Sequence, residues 1–140
     1  MTPKLSNKLI NKYPKIMKWG TKENPWDATR MGIACGDGWY PLIDHLCFHI
    51  QKYLDRSKTK EVEQVRAAQI KEKFGMLNFY YDGGDNYTKG LVSMAESFST
   101  KICETCGNRA MEKASRGISG TGWIKALCEG CHIARVNNLK

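Results

Sequence analysis

From Trp39 onward the large apolar residues fall at Trp39, Ile43, Leu46, Ile50 and Leu54. Those spacings describe one face of an α-helix, and no other stretch of the chain shows the pattern as cleanly. Asp37 stands ahead of it as a cap, and Pro41 lies in the first turn, where a missing N–H does no harm. A second helical stripe runs over 86–101 through Tyr87, Leu91, Met94, Ala95 and Phe98. Between the two the period changes. Leu77, Phe79 and Tyr81 alternate with Met76, Asn78 and Tyr80, which predicts a hairpin with strands near 63–72 and 76–82 and a turn around Gly75. "DGGD" at 82–85 ends it as a turn and helix cap. Leu5, Leu9 and Tyr13 predict a short N-terminal helix, capped by Ser6 and interrupted by Pro14. Residues 18–36 keep no period, and Gly20, Pro25, Gly32 and Gly36 mark them as a loop. Loops this long tend to be functional, and Trp19 and Trp26 would anchor this one.

A lone hairpin is only marginally stable in water, so the helices must cover it. The expected fold is α+β: helices packed on a β-hairpin, with a C-terminal four-cysteine zinc ribbon-like module. Residues 1–99 form the core and 100–140 the module, each with its own packing. On this reading Ile43, Leu46, Ile50, Leu91, Met94 and Phe98 are buried.

The module rests on "KICETCG" and "LCEGC". Cys103 and Cys106, and again Cys128 and Cys131, are separated by two residues, a spacing that turns both sulfurs of a pair the same way. Gly107 follows the first pair, where the backbone folds back under the metal. Glycines at 117, 120 and 122 suit a hairpin in the insert, with "GWIKAL" as its return strand. Four thiolates close a zinc site and leave no position for water, so the metal is structural and not catalytic. Disulfides and a redox pair are the alternatives; no βαβ pattern surrounds either pair to support redox chemistry. His45 and His49, with Cys35 and Cys47, raise a second metal site. Cys47 points with the apolar face and His45 with the polar one, so the set does not converge; buried cysteine is usually a small hydrophobe.

The formal charge of +8 is uneven: +5 over residues 1–18, −1 over 19–100 and +4 over 101–140. Basic ends suit an anionic partner such as nucleic acid, a nucleotide or an acidic protein surface. No apolar run approaches the ~20 residues of a membrane helix, and the N-terminal stretch lacks the apolar region of a secretory signal. A cytoplasmic location with reduced thiols is expected. The nucleophile, zinc-protease, phosphate-loop and deaminase signatures are missing. Asp37 and Asp44 read more simply as cap and surface residues than as a catalytic pair.

The order "CGDGWYPLID", "IKEKFGMLNFYYDGG", "ICETCG" and "GWIKALCEGC" resembles a family of short bacteriophage and prophage proteins. The resemblance runs from about Tyr13 to Cys131. It implies a phage accessory protein acting on host machinery, in the host cytoplasm, with the four cysteines as zinc ligands. Gly38 and Trp39 belong to a recurring motif that carries no assigned role. The family brings no established activity. The expectation is a non-enzymatic protein that binds a host protein, as in counter-defence or host takeover. A nucleic-acid-binding protein and a sponge for an anionic signalling nucleotide are the alternatives. Partner contact is expected at the 18–36 loop, at Phe48 on the outer helix face, and at Arg109, Lys113, Arg116 and Lys125 on the basic insert. Trp123 is expected to pack on the metal site.

Overall fold

A computed structural model describes residues 1–18, 20, 32–57, 61–111 and 124–138. Trp19, Trp26 and most of the 18–36 loop, and Lys113, Arg116 and Trp123 of the insert, lie outside the described residues.

The N-terminal stripe forms α1 (Pro3–Lys12) and, after a break at Tyr13, a single turn α2 (Pro14–Met17). Pro14 cannot continue a helix but suits the first position of a new one. The helix starts earlier than expected: Thr2, not Ser6, occupies the cap position. Leu9, Ile16 and Met17 are fully buried. The Tyr13 hydroxyl donates to the Asp44 carbonyl oxygen, and Lys12 and Lys15 pair with Asp44 and Asp55 at 2.8 and 2.9 Å. Two of the five N-terminal lysines are thus tied to the next helix, which reduces the free charge at that end.

That helix is α3 (Tyr40–Arg56). It is entered through a 3-10 turn, Asp37–Trp39, and Asp37 does not cap it. The Asp37 carboxylate instead accepts the backbone N–H of Thr2 at 2.6 Å. Trp39, Ile43, Leu46, Cys47 and Ile50 are buried, and Phe48 faces solvent, as the period predicts.

The hairpin pairs β2 (Arg66–Lys73) with β3 (Met76–Asp82), antiparallel, with an irregularity between Ala67 and Gln69. Phe74 and Gly75 make the turn, both at positive φ (54° and 76°). Two such residues form the tight hairpin connection whose twist matches the strands. A two-residue strand β1 (Ile33–Ala34) pairs parallel to β2, giving a three-stranded sheet in the order β1-β2-β3. This strand lies in the stretch expected to be loop.

Helix α4 (Asn86–Ser99) begins at Asp85, whose carboxylate accepts the N–H of Thr88, so the expected cap is present. Its orientation corrects the sequence reading. Thr88, Val92, Ala95 and Ser99 are buried. Tyr87, Met94 and Phe98 are 53, 67 and 57% exposed, and Leu91 is half-buried. The reason is the edge of the sheet. The N–H groups of Leu77 and Phe79 point away from β2 and are accepted by Ser99 Oγ and Glu96 Oε1, both at 2.8 Å. An open strand edge needs acceptors, and α4 supplies them from its small and polar face.

Candidate metal centre

Cys103 to Gly107 form a tight knuckle, closed by a hydrogen bond from Gly107 N–H to the Cys103 carbonyl oxygen (2.9 Å) and flanked by a bridge between Ile102 and Arg109. Gly107 takes φ 81°, a left-handed value that suits glycine. The second pair comes from a helix, α5 (Glu129–Asn137), which the sequence reading lacked. Cys128 is its cap residue and Cys131 lies in its first turn. The segment ahead of it, 124–127, forms no regular strand, although Glu104 N–H donates to Ala126 O and Met111 N–H to Leu127 O.

The four sulfurs lie within 4.8 Å of one another, and the Cys106 and Cys128 sulfurs are 3.6 Å apart. A tetrahedral ion ~2.3 Å from each thiolate separates its ligands by about 3.8 Å, so the donor set fits a metal ion. It is the one such cluster among the described residues. Cys103 is buried, Cys128 and Cys131 are half-buried, and Cys106 is exposed. Burial opposes ionisation of Cys103. Backbone N–H groups of Cys128, Cys106 and Thr105 outweigh it and bring the thiol down to about 7. Cys131 moves the other way, to about 12, because its thiol shares hydrogen bonds with Cys128 and then loses solvation. Backbone amides thus favour the thiolate at Cys103 while neighbouring sulfurs oppose ionisation at Cys131, and a bound cation would favour the thiolate at every ligand.

The knuckle does not pack on its own. Gly38 N–H donates to the Glu104 carbonyl oxygen (2.8 Å), and Trp39 Nε1–H to the Ile102 carbonyl oxygen (2.9 Å). A Cβ on Gly38 would sit 2.2 Å from the Cys103 carbonyl oxygen, and one on Gly36 would sit 2.2 Å from that of Glu104. The GDGW motif is therefore the seat of the first cysteine pair: glycine lets backbone meet backbone, and the indole fills the core beneath. Residues 100–140, expected to have their own packing, thus meet residues 36–39 through direct backbone contacts.

Lys125 completes the seam. Its ammonium bridges Glu104 (2.8 Å) and Glu72 (2.9 Å), whose side chains are 6 and 5% exposed. Glu104 also accepts the N–H of Gly36. Burial would lower the Lys125 pKa, but the two carboxylates raise it on balance. Expected at a partner surface, Lys125 is engaged inside the molecule, while Arg109 is exposed. Nothing in a cysteine pattern announces this clamp.

The remaining singled-out residues do not join the centre. Cys35 and Cys47 are buried, and burial pushes the Cys35 thiol up to about 12 and raises that of Cys47 as well. His45 and His49 stack edge to face at 6.1 Å between ring centroids. Asp44 is held by Lys12 and Tyr13, and Asp37 by Thr2. Among the described residues no helix is long and apolar enough to cross a membrane. Protein-family models, curated proteins and solved structures give no match to this chain.

Proposed function

We propose that the protein is a zinc-stapled binding scaffold without catalysis of its own, and that it engages another protein. In the phage or prophage setting that the sequence resemblance implies, the partner is a host protein. Four thiolate ligands favour zinc and leave no open coordination position. The observation that carries the binding reading is the outward face of α4. A helix that turns Tyr87, Met94 and Phe98 to solvent while burying Thr88 and Ser99 offers apolar surface beyond what scattered exposure supplies. Phe48, 43% exposed on α3, is a separate exposed aromatic, beside Lys12 and Tyr13. Pairing of Lys12, Lys15 and Lys125 with carboxylates weakens the case for nucleic acid.

Elemental analysis tests the metal: one zinc per chain is expected, lost in Cys103→Ser, and iron in its place would replace the assignment. Capture from nuclease-treated host lysate at low and moderate salt tests the partner. A protein retained at both salts is expected. Binding that needs nucleic acid and falls steeply with salt would favour the nucleic-acid reading. Saturable binding of a small anionic nucleotide would favour the sponge.

A further inference from the structure

A groove of about 380 Å³ runs between α3 and α4. Leu42, His45 and His49 line one wall; Leu91, Met94 and Phe98 line the other. Each wall runs over eight residues, seven helical rises or about 10.5 Å, which matches the reach of a partner helix presenting apolar anchors at i, i+3 or i+4, and i+7. At His49 the groove meets a second pocket of about 280 Å³. Its walls are Lys52, Arg56, Tyr53 and Tyr87, the two tyrosine rings in tilted contact with centroids 4.4 Å apart.

The charges around this surface are one-sided. Among the described residues no carboxylate lines either cavity. Two acids close by in the chain already have partners: Asp55, next to Arg56, pairs with Lys15, and Asp85 caps α4 and accepts the hydroxyl of Tyr53 at the pocket wall. Among the described residues neither Lys52 nor Arg56 has an ion-pair partner. Lys52 instead lies 5.4 Å above the Phe48 ring.

We infer that this composite surface, deepening the binding reading above and resting on it, receives an amphipathic helix of the partner protein with acidic residues in its first turn. The apolar anchors enter the groove between α3 and α4. The acidic turn lies over Lys52 and Arg56, where its charges also suit the partner helix's own N-terminal dipole. A second copy of this chain fits worse. A two-fold interface would bring the cationic rim of each copy against the same surface of the other, and α4 carries a single acid, Glu96, already bound to the sheet edge.

The test is a displayed library of helical peptides with fixed Leu, Phe and Leu anchors at that spacing and randomised flanks, selected against the full-length, metal-loaded chain. Selection should enrich Asp and Glu in the first turn. A fluorescent version of a selected peptide should bind about tenfold more weakly or worse to Met94→Lys and to a Lys52→Glu/Arg56→Glu variant. Selection against the double variant should switch the flanks to basic residues. All these side chains face solvent, and unchanged circular dichroism checks the fold. The inference is overturned by failure to select any binder, by flanks without acid preference, or by binding indifferent to Met94→Lys. It is also overturned by self-association that Met94→Lys abolishes. A protein partner still held by both variants would sink this inference and leave the scaffold reading standing; a chain that holds only nucleic acid or nucleotide would sink both.

Discussion

Helices α3 and α4 pack side by side and both carry an apolar stripe at helical spacing, yet they use it in opposite ways. α3 turns Ile43, Leu46 and Ile50 inward and leaves Phe48 outside. α4 turns Thr88, Val92, Ala95 and Ser99 inward and leaves Tyr87, Met94 and Phe98 outside. The neighbour decides. α3 meets apolar side chains, so burial of area is the dominant gain. α4 meets the edge of β3, where the N–H groups of Leu77 and Phe79 demand acceptors and a close approach demands small residues. An unsatisfied buried amide costs about 1–3 kcal/mol, comparable to the gain from burying one large side chain.

The contrast breaks most visibly in α3. Ile50→Ala leaves a cavity at a fully buried position, and a loss of about 2–5 kcal/mol is expected in denaturant unfolding. Next comes Gly38→Ala, at the entry to α3. The new Cβ would meet three backbone atoms of the knuckle, the carbonyl oxygens of Cys103 and Glu104 and the Gly107 nitrogen. Overpacking of this kind costs about 1–3 kcal/mol. Its signature is faster metal loss to a chelator, because the seat of the cysteine pair has been disturbed. A variant with parent-like metal retention would show that the motif does not support the centre.

Much of this was legible beforehand, for a physical reason. The α3 face, the hairpin with its turn at Gly75, the Asp85 cap and the four converging thiols each follow from local spacing in the chain. What escaped depends on partners distant in sequence. The inward face of α4 is set by amides on another element. β1 has two residues and exists only because β2 lies beside it. α5 begins inside a cysteine motif, so its start was masked by ligand spacing. Lys125 reads as a surface residue because nothing near it in sequence reveals Glu72, 53 positions away.

Ser99→Ala tests the reason given for α4. It removes the acceptor of the Leu77 N–H at a fully buried site, and about 1–3 kcal/mol of destabilisation is expected, with faster exchange of that amide. Stability within error of the parent would mean the edge does not orient the helix. Asp85 gives a subtler check. Hydrogen bonds from the Tyr53 hydroxyl and the Thr88 N–H hold its carboxyl below the ordinary 3.8. A folded pKa below the unfolded one means stabilisation that is present above about 3.8 and lost as pH falls through the folded value. Asp85→Asn keeps a capping oxygen and removes the titration. Its stability should fall less steeply in acid than the parent's, with Asp44 and Asp55 keeping part of the slope.

The smallest expected effect is the most discriminating. Met94→Ser removes a large apolar side chain from the middle of the α4 stripe, the kind of change that in a core costs several kcal/mol. Here the side chain is 67% exposed, so stability should stay within about 0.5 kcal/mol of the parent. Ile50→Ala and Met94→Ser sit on facing helices at positions that sequence spacing alone treats alike. The difference between them measures how far the sheet edge, and not hydrophobic period, chose the face of α4. A Met94→Ser loss as large as that of Ile50→Ala would place the methionine in a core, and the outward face of α4 would no longer be available to a partner.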